Sequence, residues 1–496
     1  VITKRPPEYL IDLINWLREE PVETAWLEFK VNNGNPDEIG EYISALANSA
    51  ALCHKASGYF VWGIDDTTHD VVGTTFAPSK TKMGNEELEN WLLQLLDPQV
   101  QFAFFSVIID GKSLILLEVG RADHRPVQFK GVEYVRVGSY KKKLKDYPGK
   151  EKELWHIFDS TRFEEHIAQG HLSANDVLQL LDYQTYFSLL REPLPENQQG
   201  ILDAFASEGL ICSCDAGGWD ITNLGALLLA RQLGDFGTLQ QRQVRVIQYR
   251  GTTRMAALQE PVFSAGYASG FVGLLSRIRE LTPVHEEIRD GLRTAESSFP
   301  TIAVRELVAN ALIHQDLVTR GTSPMVGIFD NRIEISNTGT PLVDIKRLLD
   351  SPPRSRNEKL AALMRRMGVC EERGSGWDKI ATQVEQNQLL APLVEVGDDW
   401  TRVTMFDRKP LAKMSSSERV RAVYLHACLQ YANRGYVTNS SIRQRFGIEV
   451  RNSATASRLI KEAVAAKAIA PCDANASPKL MQYVPVWALP NPTAGT

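Results

Sequence analysis

The chain has 496 residues, 43% hydrophobic and 23% charged, and at roughly 150 residues per domain this length predicts about three domains. Gly 34 and Pro 24 are scattered along it, so disordered, collagen-like and fibrous classes are excluded. A formal net charge of −5, from 55 basic and 60 acidic residues, argues against a protein that coats nucleic acid by bulk charge and leaves a local basic face open.

Of the six cysteines, only Cys212 and Cys214 are close in sequence, and no second pair completes a zinc site. Sparse cysteines, and an opening stretch with Lys4, Arg5 and two prolines in place of an apolar signal, predict a cytoplasmic setting. No apolar run approaches the ~18 residues of a membrane span, so no membrane association is expected.

In chain order, PEYLIDLINWLREE spaces Leu10, Leu13, Ile14 and Leu17 as a helix that ends at Pro21. TAWLEFKV and SGYFVWGIDD read as strands around the helical EIGEYISALANSAAL. QFAFFSVIIDGKSLILLEVG is a hairpin turning at Asp110-Gly111, and VEYVRVGSY is a further strand. The basic KKKLK after it offers Lys141, Lys142, Lys143 and Lys145 to phosphates. Residues 151–235 read as a helical connector with a hairpin wing. RQVRVIQYRG, PMVGIFD, RIEISN and WTRVTMF are strands, FVGLLSRIRELT, IAVRELVANALI and NEKLAALMRRMG are helices, and KPLAKMSSSE is a linker by composition.

Glu23 and Glu28 flank the start of the first strand, Glu28 and Lys30 share one of its faces, and Asp65 and Asp66 end the neighbouring strand. Such acids are either solvated charges or, if they converge, oxygen ligands for Mg²⁺ that activate water for phosphodiester cleavage. His69, in DDTTHD, is the histidine beside this cluster. ETAWLEFK, ISALANSA, GYFVWGIDD, VVGTTF and EYVRVGSYKKKLK, in this order, resemble the Schlafen AlbA-like domain. The resemblance implies a catalytic and metal-binding centre of Glu23, Glu28 and Asp66, with Lys30 as its basic neighbour. The family's A-N-T-x-G-G turn is expanded here to ANSAALCHKASG, a longer loop.

In AVRELVANALIHQD, Glu306 and Asn310 lie one turn apart on a helix face, where a carboxylate and an amide can share a magnesium ion. DNRIEISNTGTP brings Asn337 and Gly339 to a strand end, and ERGSGWDKI sets Gly374 and Gly376 before a helix whose N–H groups suit phosphates. In sequence, these three resemble the nucleotide-binding domain of the GHKL ATPases. That resemblance implies Asn310 as magnesium ligand, Glu306 as water-activating base, Asn337 where the family has an adenine-reading Asp, and Gly374 and Gly376 in the phosphate lid. An amide keeps an acceptor but not the charge, so ATP binding is expected with slow hydrolysis or none. Arg354, Ser355, Arg356 and Asn357 either reach phosphates or cap the next helix.

ERVRAVYLHACLQYA, VTNSSIRQRFG and NSATASRLIKEAVAAKAI read as three helices, and YVPVWAL closes a wing. Between Glu418 and Lys467 nine basic residues face three acidic ones, a local +6. Arg443, Arg445, Arg458 and Lys461 are its candidate phosphate contacts, and docking is the alternative role of such a module.

The expected architecture is therefore α+β and multidomain. It comprises a Schlafen AlbA-like domain over 1–150, a winged-helix-like connector over 151–235, a GHKL-like α/β sandwich over 236–410 and a winged helix over 411–496. This order resembles a bacterial family of predicted regulators. It implies a nucleotide-regulated, Mg²⁺-dependent endonuclease acting on tRNA-like RNA or DNA, in phage defence, with ATP as cofactor and a homo-oligomeric state. The alternative is an ATP-responsive winged-helix regulator that binds DNA without cutting it.

Overall fold

The computed structural model describes residues 5–20, 24–160, 162–214, 217–289, 292–319, 321–352, 354–370, 376–473, 475–477 and 480–489, with backbone alone for 159–160 and 285–296. Glu23 and Gly374, two of the expected site residues, lie outside the described residues. The chain divides into two compact units, Val1–His171 with Ser213–Gly218, and Leu172–Cys212 with Trp219–Thr496.

Alternation along its strands organises the first unit. Strand Leu27–Lys30 runs parallel to Ser57–Trp62, which pairs antiparallel with Lys112–Gly120, itself paired with Phe102–Ile109. Tyr59 and Val61 pack on one face with Leu27, Phe29 and the helix residues Leu10, Leu13, Ile14 and Leu17. Phe60 and Trp62 pack on the other with Ile39, Ile43 and Leu46. The expected turn is present, with Asp110 at φ 51° and Gly111 at φ 72°, the left-handed pair that a two-residue hairpin requires.

Helix Pro36–Leu52 begins behind Asn35, whose side chain accepts the Asp37 N–H, and it ends at Leu52, before the loop expected around Cys53 to Ser57. Its buried polar residues face the second sheet, formed by Tyr140–Lys143, Val132–Val137, Gln128–Phe129 and Leu96–Asp97. Asn48 Nδ2 donates to the carbonyls of Val127 (2.9 Å) and Tyr134 (2.8 Å), and Ser49 Oγ accepts the Arg136 N–H (2.9 Å). These bonds satisfy backbone groups that burial would otherwise strand. They also fix Arg136 beside the first sheet.

In the second unit, helices Ala174–Leu180, Tyr183–Leu190 and Gln198–Ser207 precede adjacent strands Ile211–Ser213 and Trp219–Thr222, the expected helical connector with a hairpin. A sheet follows in the order Ala257–Gln259, Val244–Tyr249, Met325–Phe329, Arg332–Thr338, Trp400–Phe406, Leu393–Val396, and Val262–Phe263 also pairs with Val244–Tyr249. Helix Thr301–Ile313 packs on Arg332–Thr338 and on helix Gly376–Gln386. Sequence reading missed the edge strands Ala257–Gln259 and Leu393–Val396 and the hairpin of Val284–Arg289 with Leu292–Ser297. The first two are too short for alternation to register.

The C-terminal helices Ser416–Ala432, Asn439–Phe446 and Ser453–Ala465 enclose Val423, Ala427, Ile442, Leu459 and Ile460. Strands Ile469–Pro471 and Tyr483–Pro485 form the wing, and Val437 bridges to Tyr483. A capping box between Ser415 and Glu418 starts the first helix inside the expected linker, whereas Asn452 stands at the third helix's N-cap with no side-chain bond.

Candidate functional site

Two of the expected centres are built from described side chains, and they differ in kind. On strand Leu27–Lys30, Leu27 and Phe29 enter the core, so Glu28 and Lys30 point the other way, toward helix Pro36–Leu52. Glu28 is 1% exposed. Its Oε2 is paired with the fully buried Arg136, while its Oε1 lies 3.0 Å from Lys30 Nζ and accepts from the Tyr42 hydroxyl at 2.9 Å. Lys30 is also 3.5 Å from Asp66, which is exposed. Lys141 lies over the Tyr42 ring at 4.4 Å and pairs with Glu41 at 2.5 Å. Lys142, Lys143 and Lys145 are exposed. The structure thus gathers Glu28, Lys30, Asp66 and Lys141, together with Arg136 and Tyr42, which sequence reading did not single out. The strand alternation that buries Val135 sends Arg136 to the opposite face, and that was the available signal.

His69 does not join this network. Its Nδ1 lies 3.2 Å from the Arg18 carbonyl and its ring packs on Phe29. The Glu28 oxygens are engaged by two cations and a phenol, and with Asp66 on Lys30 the charges balance, which is not an open oxygen cradle for Mg²⁺.

In the second unit, a cavity of about 280 Å³ opens between helix Thr301–Ile313 and strand Arg332–Thr338. Glu306, Asn310, Asn337, Gly339 and Gly376 all line it, so the structure brings together every described residue expected there. Glu306 is buried and held by Arg305 at 2.6 Å. A Cβ on Gly376 would stand 3.2 Å from Glu306 Oε2 and 3.6 Å from Asn310 Nδ2. A side chain at the start of helix Gly376–Gln386 would therefore press on Glu306, while the approach to Asn310 would be an ordinary contact.

Gly339 has φ 93°, a left-handed conformation that favours glycine, and a Cβ there would stand 3.1 Å from the Asp316 backbone nitrogen. Its carbonyl accepts from Thr401 Oγ1 at 2.7 Å. Asn337 donates through Nδ2 to the Thr338 carbonyl at 2.8 Å, which leaves Oδ1 as its acceptor. Arg354 and Ser355 line the cavity, and Arg365 adds a second cation. Arg356 and Asn357 turn to backbone instead, Arg356 to the His314 and Thr340 carbonyls and Asn357 to those of Ile313 and Gln315. Burial, with Arg356 beside it, holds His314 below its ordinary pKa, so the ring facing the cavity is neutral at pH 7. Apolar lining residues such as Leu307, Ile313 and Ile335, two arginines and a helix N-terminus suit a ring system with phosphates attached.

The far end of helix Gly376–Gln386 meets the winged helix. Glu385 lies 3.0 Å from His426 Nδ1 and 3.4 Å from Arg445 Nε. Arg445, expected to face phosphate, is instead buried and donates to the Leu389 carbonyl at 2.8 Å. The reason is its place on the inner face of helix Asn439–Phe446 beside Ile442, where Glu385 provides the counter-charge. Arg458 and Lys461 are exposed, and Arg443 is half-buried against Asn439. A second link joins Tyr424, whose hydroxyl donates to the Lys346 carbonyl at 2.5 Å, and Trp487, which lies under Arg347 at 4.8 Å. The cavity-lining Leu348 and Ser351 follow directly in the chain.

Residues 23–145 match the family described as "Schlafen, AlbA_2", and residues 321–405 match the one described as "Putative ATP-dependent DNA helicase recG C-terminal". The chain thus carries a Schlafen AlbA_2 domain and a RecG-like ATPase-type domain. No curated protein matches it significantly. Among solved structures, the DIP2311 protein from Corynebacterium diphtheriae is 16% identical over 96% of this chain and 97% of its own, with a TM-score of 0.41. The N-terminal domain of a "Putative ATP-dependent DNA Helicase RecG-related Protein" from Nitrosomonas europaea is 25% identical over 26% of this chain and 90% of its own, with a TM-score of 0.19.

Proposed function

We propose that the protein is an ATP-responsive nucleic-acid-binding protein in which nucleotide in the second unit's cavity sets how the C-terminal winged helix is held. The observation that carries this reading is helix Gly376–Gln386. Its first residue lines the cavity beside Glu306 and Asn310, and its last turn holds His426 and Arg445 through Glu385. Eleven residues span about 16 Å at 1.5 Å each, so one rigid element links both places. In this reading the base lies near Asn337 and Gly339, the phosphates meet the helix N-terminus and Arg354, and Asn310 with Glu306 holds Mg²⁺, which neutralises phosphate charge. Arg443, Arg458 and Lys461, with Lys142, Lys143 and Lys145 in the first unit, contact nucleic-acid phosphates.

Fluorescence anisotropy with duplex DNA and with tRNA tests this. Replacing Arg443, Arg458 and Lys461 together with Ala should weaken binding and lower the salt slope by about three phosphate contacts. Thermal stabilisation by Mg²⁺ and ATP should persist. Unchanged affinity and slope would make the winged helix a docking module.

Metal-dependent cleavage, in a setting such as phage defence, is the second reading, favoured by Lys30 joining Glu28 to Asp66. Against it stands the engagement of Glu28 by Arg136, Lys30 and Tyr42. Incubating RNA and DNA with the protein, Mg²⁺ and ATP separates the two. Cleavage that Glu28→Gln abolishes would establish the nuclease, and intact substrate under all conditions would leave binding alone.

A further inference from the structure

Apart from both of these centres, the first unit buries a second line of polar side chains. Arg5 Nη2 lies 2.9 Å from Glu118 Oε1, and Arg5 Nε lies 3.3 Å from Oε2. Ser57 Oγ donates to Oε1 at 3.2 Å. Glu118 is 1% exposed, so its charge is set by these neighbours. His171 Nε2 stands 3.1 Å from Glu118 Oε1, and on the other side of the ring Nδ1 stands 3.0 Å from Cys214 Sγ. The Tyr9 hydroxyl reaches the same Nδ1. His171 has φ 59°, a left-handed conformation that few non-glycine residues adopt, and this conformation sets the ring between the carboxylate and the sulfur.

A carboxylate only accepts, so Nε2 carries the proton, and Nδ1, 3.0 Å from the sulfur, can take one from the thiol. Transfer of that proton gives an imidazolium that donates at both nitrogens and a thiolate beside it. Glu118 stabilises the imidazolium, and Arg5 holds Glu118. We propose that Cys214 is a nucleophilic thiol activated by His171, with Glu118 positioning the ring, and that it is a modification site for small-molecule disulfides.

Burial opposes charge on His171, but the hydrogen bonds with Cys214 and Glu118 and the Glu118 charge raise its pKa to about 9. The imidazolium is therefore the resting form at neutral pH. Burial, with Cys214 and Glu118 nearby, pushes the Tyr9 phenol well up, so it stays neutral beside the imidazolium. Cys214 is half-buried and Cys428 is buried, so of these two thiols only Cys214 offers a reagent a route in. In the reaction, the Cys214 thiolate attacks one sulfur of the disulfide. A new S–S bond forms to that sulfur, the old one breaks, and the second sulfur leaves with the bonding pair as a thiolate, so no further oxidant is needed.

The test is alkylation of the full-length protein by iodoacetamide across pH 5.5 to 9.5, with each cysteine followed by peptide mass spectrometry. Cys214 should react at pH 6.5 at least about tenfold faster than exposed Cys212, with a midpoint well below the ordinary thiol value of about 8.5. His171→Asn suits the left-handed backbone, because Asn tolerates it, and should return the midpoint to about 8.5. Oxidised glutathione should give one mixed disulfide, at Cys214, that His171→Asn suppresses. A wild-type Cys214 midpoint near 8.5 would overturn the proposal without any variant. So would an equal rate in a His171→Asn protein of unchanged melting temperature, or a failure to form the mixed disulfide.

Discussion

At Glu28 the chain supplies its own cations; at Asn310 it supplies a cavity. The Glu28 carboxylate is buried among Arg136, Lys30 and Tyr42, and its charge is balanced within the first unit. In the second unit, Glu306 and Asn310 look onto about 280 Å³ of space beside a helix N-terminus and two arginines. A buried charge has to find a partner, and the chain provides one in both places, Arg136 for Glu28 and Arg305 for Glu306. Where it provides space, backbone donors and excess positive charge, the completing group comes from outside. Similar acid-rich motifs can therefore lead to opposite outcomes, and what separates them is the cavity left open beside Glu306 and Asn310.

The largest effect should follow from breaking the closed site. Arg136→Ala leaves Glu28 buried without its main counter-charge and should cost about 3–5 kcal/mol in urea unfolding. The pair Glu28→Leu with Arg136→Met should recover most of that loss, because the two charges offset each other's desolvation. Recovery would mark the pair as structural. A double variant as unstable as Arg136→Ala would show that Glu28 is tied to more than Arg136.

The open site should be felt mainly through its ligand. ATP with Mg²⁺ at about 100 times Kd should stabilise the wild type by about 2.7 kcal/mol, read as a rise in melting temperature. Asn310→Ala should abolish that rise, and Gly376→Val, which crowds Glu306, should reduce it. A full shift in a folded Asn310→Ala protein would remove that side chain from the site.

The smallest effect belongs to a half-buried surface pair. Hydrogen bonds from Arg419 and Ser416 hold the Glu462 carboxyl down at about 2. A depressed carboxyl stabilises the fold above the ordinary carboxylate pKa of about 4.3 and loses that contribution as pH falls through about 2. Because the pair lies at the surface with about a quarter of each side chain exposed, solvent screens it, and Glu462→Gln should change stability at pH 7 by less than about 0.5 kcal/mol. A loss above about 1 kcal/mol would mean that surface pairs here rival the buried one.

Much of this was legible from periodicity. The hairpin turn at Asp110-Gly111, the alternation that turns Glu28 away from Leu27 and Phe29, and the helix face carrying Glu306 and Asn310 all follow local rules. Pairings between distant segments were not legible. Arg136 lies 108 positions from Glu28, Cys214 43 from His171, and Arg445 60 from Glu385. Arg445 read as a surface cation because it belongs to a basic stretch, and only the packing of helix Asn439–Phe446 showed it facing inward. Charge counts locate a basic module, but they do not say which of its members reach solvent.

The central claim is that the open site and the winged helix are coupled through helix Gly376–Gln386. The most direct measurement is the affinity of the full-length chain for duplex DNA at fixed salt, with and without saturating ATP and Mg²⁺, in the wild type and in Glu385→Ala. The account predicts a change of about fivefold or more on adding nucleotide, equivalent to about 1 kcal/mol of coupling. In Glu385→Ala it predicts a change within about twofold, while the nucleotide-induced rise in melting temperature is retained. A wild-type protein that binds ATP, by that same rise, yet holds DNA equally well with and without it would contradict the account.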